Sequence, residues 1–141
     1  MPVDPVKDFP GYALRRASAA AMARLAERLE ALALRPAEAT VLLVIEANPG
    51  ITPSTVGRLL EIASANMAPL AARLQRRHLI VRERVNGRSH GLHLSEAGRR
   101  LARQAGQAMS EHEAQLLSRI PEAQRAAFLA ALQALWTQQD E

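Results

Sequence analysis

The sequence predicts a mainly α-helical fold that contains one small β-hairpin. Alanine and leucine, which favour helices, account for 28 and 20 of the 141 residues. Only 3% of the residues are aromatic, and apolar residues recur at helical spacing through most of the chain. The exception surrounds Asn86-Gly87, a dipeptide typical of tight hairpin turns. The length suits one compact domain and is too short for two ordinary enzyme domains.

Two helices are predicted in the first third of the chain. Apolar residues recur every three or four positions over Tyr12–Leu34, which indicates an amphipathic helix. Pro36 suits the first turn of a second helix, which runs through the apolar stretch Val41–Ile45. Asn48-Pro49-Gly50 ends this helix in a turn.

Two shorter helices follow in the pattern of a helix-turn-helix. Thr52 and Pro53 predict the cap and first turn of the third helix, with Val56, Leu59 and Leu60 facing inward. The fourth helix has a candidate cap region at 64–66. Because the ring of Pro69 clashes with the carbonyl four residues earlier, we expect this helix to start near Asn66 or to bend at Pro69. Its inward residues are expected to be Met67, Leu70 and Leu74, and its outward residues Arg73, Arg76 and Arg77.

A β-hairpin is predicted next. Strand-like segments at 79–85 and 88–94 flank Asn86-Gly87, which predicts a two-residue type I′ turn with positive φ at both positions. This hairpin carries four basic or imidazole side chains at or near its tip: Arg82, Arg84, Arg88 and His90.

Two more helices complete the chain. Ser95 is expected to begin a long helix over roughly Glu96–Arg119. A last helix is predicted to start at Pro121, with Ile120 as a poor cap.

The positive charge is concentrated in one segment. The chain carries a formal charge of +4, yet residues 73–103 hold nine arginines against only Glu83 and Glu96, so this stretch is +7 and the rest is −3. A solvated helix face would alternate these arginines with acids, and nearby acids are missing from the sequence. Such a one-signed cluster indicates a polyanionic partner, of which nucleic acid is the favoured class.

Several classes of function are excluded or unsupported. The absence of cysteine excludes disulfides, thiol catalysis and thiol redox sensing. The longest charge-free run, Ala126–Gln139, is too short to cross a bilayer, and no signal-peptide pattern is present, so a soluble cytoplasmic protein is expected. The sequence contains neither a dinucleotide-binding nor a phosphate-binding glycine motif. No cofactor is expected.

Metal binding and catalysis are also unsupported. His112-Glu113 begins like a zinc-protease motif, but Leu116 stands where the second ligand must be. His90 and His93 are three residues apart in a strand and therefore point to opposite faces. No combination of serine, histidine and acid has catalytic spacing, so the protein is not expected to be an enzyme.

The segment from about Leu34 to Leu101 resembles the MarR family of winged-helix transcription regulators. LRPAEATVLLVIEANPGITPSTVGRLL is similar to the second and third helices of that family, and SANMAPLAARLQRRHLI to its recognition helix. VRERVNGRSHGLHLSEAGRRL is similar to its wing and to the start of its fifth helix.

The resemblance implies a winged helix-turn-helix region at 35–95, flanked by dimerisation helices at 1–34 and 96–141. It implies a homodimer that binds a pseudo-palindromic operator in double-stranded DNA, with recognition helices in the major groove and wings in the minor groove. By position, the DNA-contacting residues would be Ser54, Thr55, Ser64, Asn66, Arg73, Arg84, Arg88 and His90. For Ser64 and Asn66, a helix-capping role is an equal alternative. The resemblance further implies release by a small aromatic acid, phenolic or acyl-CoA effector, with Tyr12, Arg15 and Arg16 as candidate ligand contacts.

The recognition helix is rich in alanine, which is one departure from the family pattern. Three further departures lie at single residues. Pro69 lies inside that helix. Asn86 stands where the family has an aspartate that braces the wing arginine, so this bracing is in question. His78 replaces a common glycine and must accept a left-handed or bridge conformation, or shift the helix end.

Two alternative functions are considered. The first is a winged-helix module that binds protein without specific DNA binding. The second is a metal-dependent enzyme, for which the sequence lacks paired ligands.

Overall fold

The computed structural model describes residues 1–137, and within them it shows a mainly α-helical fold with one two-stranded antiparallel hairpin. We number the helices and strands in chain order: α1 (Pro10–Leu29), α2 (Pro36–Ala47), α3 (Pro53–Leu60), α4 (Ser64–Arg76), β1 (Ile80–Arg84), β2 (His90–Leu94), α5 (Glu96–Ser118) and α6 (Arg125–Trp136). No helix in the described residues is long and apolar enough to span a membrane.

The first helix ends earlier than the sequence predicts. A 3₁₀ turn over Glu30–Leu32 follows α1, and Ala33 then adopts a left-handed conformation with φ 52°. This change of direction brings the chain to Pro36, which begins α2 as predicted. The apolar periodicity through Leu34 therefore extends past the end of the helix that it indicates.

The start of the last helix was also predicted wrongly. Glu122–Gln124 form a 3₁₀ turn after Pro121, and α6 begins only at Arg125. The Arg125 side chain explains the delay, because its Nε donates to the carbonyls of Leu117 and Ile120, each at 3.0 Å, and so ties the start of α6 to the end of α5.

The third helix begins with the predicted cap, since the Thr52 hydroxyl accepts the Thr55 N–H at 3.3 Å. One inward residue was predicted wrongly, because Leu59 is 61% exposed. Gly57 takes the buried position beside Val56 instead. A Cβ at Gly57 would lie only 3.0 Å from the Ile62 carbonyl oxygen, so this face packs closely against the turn that leads to α4.

The fourth helix runs from Ser64 to Arg76 with Pro69 inside it, so the expected late start near Asn66 is wrong. Pro69 is exposed and cannot donate to the Ala65 carbonyl, which is exposed as well and can bond to water. The inward residues are as predicted: Met67, Leu70 and Leu74. Of the three outcomes considered for His78, the structure has the left-handed conformation, with φ 58°.

The hairpin forms with a different turn from the one predicted. The strands pair from Ile80 opposite Leu94 to Arg84 opposite His90, and Val85 then donates to the Ser89 carbonyl at 3.0 Å. Neither Asn86 nor Gly87 has a positive φ, so the type I′ turn is wrong. The Asn86 Oδ1 atom instead accepts the backbone N–H groups of Arg88 and Ser89, each at 3.0 Å, and thereby shapes a longer loop.

Backbone contacts fix the hairpin to the helices on both sides. Gly50 donates to the Leu92 carbonyl and Leu92 donates to the Ile51 carbonyl, at 2.9 and 2.8 Å, so the turn after α2 forms a short third edge of the sheet. On the other side, the Ser95 hydroxyl caps α5 at Gly98 and donates to the His78 carbonyl at 2.6 Å. One apolar core, centred on α2, α4, the sheet and the middle of α5, underlies this arrangement.

Candidate nucleic-acid interface

A groove of about 450 Å³ lies between α3, the N-terminal half of α4 and strand β1. Serines from the starts of both helices line it, together with two arginines that come from α3 and the hairpin. Its lining includes Ser54, Arg58, Ser64, Ala68 and Arg82. Of these, Arg58 and Arg82 were not among the residues assigned to DNA contact from the sequence.

Side-chain hydrogen bonds organise the start of α3. The Thr55 hydroxyl is 2.8 Å from the Thr52 hydroxyl and accepts a 3.2 Å hydrogen bond from the Arg58 guanidinium. Thr55 is therefore a support that holds Arg58, whereas Ser54 is exposed at the rim of the groove. The spacing of Thr55 and Arg58, three apart on a helix, is the sequence signal that could have identified Arg58.

The capping role considered for Ser64 and Asn66 is wrong. The residue at the N-cap position of α4 is Ala63, and no side chain caps this helix. Both Ser64 and Asn66 are exposed. Because neither forms the cap, their hydroxyl and amide groups are presented to solvent at the start of α4.

Arg73 forms an ion pair with an acid from a distant part of the sequence, although no acid lies near it in the basic segment. Its Nε is 3.4 Å from Oε2 of Glu38, a buried residue on α2. The other oxygen of Glu38 accepts the backbone N–H of Arg35 at 2.9 Å. Glu38 lies 35 positions from Arg73 in the sequence, so charge counting within the basic segment could not reveal it.

Three more arginines of the basic segment also have partners. Arg77 donates to the carbonyls of Ala33 and Leu32, at 2.7 and 3.2 Å, and Arg99 donates to the Leu94 carbonyl at 3.2 Å. Arg100 pairs with Glu96 at 3.3 Å. Part of the excess charge is therefore used inside the protomer, and the expectation of a wholly unpaired cluster was wrong.

The arginines and the glutamate of strand β1 lie on opposite faces of the hairpin. Arg82 and Arg84 alternate with Glu83 along β1, and so share the face that contains the buried Ile80 and borders the groove. His90 lies opposite Arg84 on that face. Glu83 points to the other face, where its carboxylate is 3.3 Å from Nε2 of His93.

A cationic face results, which we define as Arg58, Arg82, Arg84 and the tip residue Arg88. Within residues 1–137, none of these four forms an ion pair. The acid on the hairpin faces away from them, and an exposed guanidinium cluster of this kind attracts phosphate groups.

A second cleft, of about 510 Å³, opens where the end of α1, the start of α2 and the end of α4 meet. Its charged lining residues are Glu30, Arg35, Glu38, Arg73, Arg76 and Arg77. The arginines outnumber the acids, and neither Arg35 nor Arg76 forms an ion pair within the described residues. This cleft therefore carries a net positive charge beside the recognition-helix candidate.

The candidate ligand contacts on α1 lie elsewhere. Tyr12 donates from its hydroxyl to Asp4 at 3.0 Å and accepts a 2.9 Å hydrogen bond from Arg16. The guanidinium carbons of Arg15 and Arg16 lie 5.9 and 5.8 Å from the centre of the Tyr12 ring. Within one protomer these residues cluster with one another and do not line the cleft at α4.

No group of three or more potential ligands among histidine, aspartate and glutamate forms a metal-binding cluster in residues 1–137. His93 and His90 point to opposite faces of the hairpin, as the sequence predicts. The buried His112 on α5 has no companion ligands of this kind.

A helix-turn-helix followed by a hairpin that packs beside it defines the chain as a winged-helix protein. Solved structures share this architecture over nearly the whole chain. The repressor CouR bound to p-coumaroyl-CoA is similar with a TM-score of 0.89 and 27% identity, and the match covers 99% of both chains. CouR bound to a 23-mer DNA duplex is similar with a TM-score of 0.89 and 28% identity, over 97% of this chain and 99% of that one.

A third similar structure is the MarR family protein Rv2887 of Mycobacterium tuberculosis in complex with salicylic acid. Its TM-score is 0.72 at 26% identity, over 92% of this chain and 98% of that one. A sequence profile of the MarR family matches residues 34–89, whereas no curated protein sequence matches the chain. Residues 34–89 therefore match the MarR family of transcriptional regulators, and the similar solved structures share the fold over most of the chain.

Proposed function

We propose that the protein is a homodimeric, sequence-specific DNA-binding repressor that a small anionic effector releases from its operator. The observation that carries this proposal is the cationic face, because Arg58 and Arg82 line the groove at the start of α4, and Arg84 and Arg88 follow Arg82 along the hairpin without ion pairs in the described part of the chain. A protein that neutralises DNA phosphates releases condensed counterions, and this release favours binding.

General features of DNA recognition support this proposal. A helix such as α4 can enter a major groove, and guanidinium groups such as those of Arg84 and Arg88 are attracted to a narrow minor groove. We propose that Ser54 at the rim of the groove contacts a phosphate, and that His90, which lies beside Arg84 on the same face of the wing, also contacts DNA. CouR, which has the same fold, is solved with a DNA duplex.

Dimerisation is supported by apolar surface at the two ends of the chain. No residue of α6 is buried in the described protomer, although Leu129, Leu135 and Trp136 are large and apolar. Phe9, Leu14 and Met22 are exposed on or beside α1. Burial of such surface against a second copy is favourable, so we propose that 1–34 and 96–141 form the dimer interface and 35–95 the DNA-binding region.

We propose an aryl carboxylate or its CoA thioester as the effector class. The similar structures hold p-coumaroyl-CoA and salicylic acid, both of which are anionic aromatic compounds. This chain offers arginines in two places: Arg15 and Arg16 beside Tyr12, and Arg76 in the cleft at the end of α4. Ligand titration of Arg15→Ala and Arg76→Ala variants distinguishes the two sites, since only the site that binds the anion loses affinity.

The test of DNA binding is selection of random duplexes by the purified full chain, followed by affinity measurements at several salt concentrations. A steep linear fall of log affinity with log salt concentration supports phosphate contact. A winged-helix module that binds only protein would select no sequence and show no salt-dependent affinity for DNA. That result would reject the proposal.

A further inference from the structure

The side of α4 that lies opposite its buried residues presents only carbon over the first part of the helix. Ala65, Pro69 and Ala72 recur there at spacings of four and three; Ala65 and Pro69 are exposed and Ala72 is half-buried. Their side chains carry no hydrogen-bonding group, and Pro69 also lacks a backbone N–H. We call these three residues the α4 ridge. The exposed Arg76 follows on the same side one turn later.

Asn66 flanks this ridge. It is exposed, and its amide does not cap the helix because Ala63 occupies the N-cap position. A primary amide can donate to one atom of a base and accept from another, and the bidentate match that it makes best in the major groove is with N6 and N7 of adenine.

The usual readers of guanine are missing from this part of the helix. Residues 64–72 contain no arginine or lysine. Arg73 is held by Glu38 at 3.4 Å, and Arg76 stands at the far end of the helix. Because arginine and lysine make the commonest specific contacts to guanine, the first two turns of α4 are unsuited to reading that base.

Carbon surface in a major groove also selects against guanine–cytosine pairs. The apolar group that bases present there is the C5 methyl of thymine. If the α4 ridge covered guanine O6 or cytosine N4, it would remove water from these atoms without replacing its hydrogen bonds, which is unfavourable. Contact with a thymine methyl buries apolar surface on both sides and is favourable.

We propose that the operator half-site presents adenine–thymine pairs to α4, with thymine methyl groups against the α4 ridge and an adenine read by Asn66. This inference rests on the proposed function, in which α4 enters a major groove. In this scheme, the preference for one DNA sequence comes from thymine methyl contacts and from the amide of Asn66. Most of the affinity for DNA of any sequence comes from the cationic face.

The experiment starts from the half-site that the full chain selects from random duplexes. Each thymine of that half-site is replaced in turn by deoxyuridine, which removes only the methyl group, and each adenine by 7-deazaadenine, which removes only the N7 acceptor. At contacted thymines, we expect affinity to fall about fourfold per methyl. At the adenine that Asn66 reads, we expect the 7-deaza substitution to weaken binding to the wild type and to have no effect on Asn66→Ala.

The variant Asn66→Ala should bind its operator roughly 5- to 150-fold more weakly and lose discrimination at one base pair. Gln75→Ala is the matched control, because Gln75 is exposed on the same helix but lies half a turn away from Asn66 and outside the ridge. Circular dichroism and thermal unfolding of both variants check that the fold is retained.

The outcomes separate this inference from the proposed function. Equal binding of thymine and deoxyuridine duplexes, or guanine–cytosine pairs at every selected position of the half-site, overturns the inference while salt-dependent binding upholds the proposed function. Absence of salt-dependent binding to any duplex overturns both.

Discussion

The wing region and the two terminal helices expose opposite kinds of surface. Around α3, α4 and the hairpin, the exposed groups are guanidiniums without ion pairs, whereas α6 exposes Leu129, Leu135 and Trp136. Each surface is costly in isolation, the first through mutual repulsion and the second through contact with water. Under the proposed function, the difference means that one chain binds two kinds of partner, a polyanion through the first surface and an apolar surface through the second.

Charge placed on the apolar surface tests this division most strongly. We expect Leu129→Glu combined with Leu135→Glu to convert a dimer into monomers, because both side chains are exposed in the protomer and would carry charge into the interface. Operator affinity should fall about a hundredfold or more, since two linked half-site contacts are lost. Light scattering and DNA titration measure the two effects. A monomeric wild type, or a variant that stays dimeric, would contradict the assignment.

The contact between α5 and the start of the hairpin, at Gly98 and Leu79, is tested next. A Cβ at Gly98 would collide with the Leu79 carbonyl oxygen, so Gly98→Ala must displace α5 from the backbone just before β1. We expect a loss of about 3 kcal/mol in the free energy of unfolding, measured by urea denaturation. Gly106→Ala on the same helix is the control: its Cβ would meet Leu43 at 3.6 Å, an ordinary contact, and it should stabilise by about 0.5 to 1 kcal/mol. Equal effects of the two variants would show that this contact is not tight.

The cationic face is tested by removing single arginines. Arg82→Ala and Arg84→Ala should each reduce the slope of log affinity against log salt by about 2, since each removes one phosphate contact from both protomers of the dimer. Their stability should change little because both side chains are exposed. Arg119→Ala, at the exposed end of α5, should leave the slope unchanged. A slope that falls equally in all three variants would mean that total charge, and not this face, governs binding.

The smallest effect concerns the arginine that is tied inside the protomer. Glu38→Gln keeps a side chain that can accept the Arg35 N–H but removes the charge that holds Arg73. We expect stability to fall by about 1 kcal/mol, and the salt slope for DNA to steepen by about 2 if the freed guanidinium of each protomer in the dimer reaches a phosphate. Urea denaturation and DNA titration measure both. An unchanged slope would show that Arg73 remains away from DNA.

Local signals predicted much of this molecule. The caps at Thr52 and Ser95, the left-handed His78 and the long helix α5 all depend on residues that are close together in the sequence. The predicted type I′ turn of the hairpin was wrong for a local reason as well. The Asn86 side chain accepts hydrogen bonds from the backbone N–H groups of Arg88 and Ser89, and the loop takes a different geometry.

Contacts between distant segments were beyond sequence reasoning. Nothing local indicates that Glu38 meets Arg73, that Gly98 must approach Leu79, or that Ile51 adds an edge to the sheet. The prediction of the candidate site missed Arg58 for the same reason. The position of Arg58 in the groove depends on how α3 packs beside α4, and that packing follows from tertiary contacts.

The two hydrogen bonds of Arg77 have a mechanical consequence. This residue directly follows α4 and holds the carbonyls of Leu32 and Ala33, where the chain leaves α1. A displacement at the end of α1 would therefore be felt at the end of α4 through these hydrogen bonds. Under the proposed function, an effector that binds better to one arrangement of the two helices would shift the population toward it by its difference in affinity, without contact with DNA.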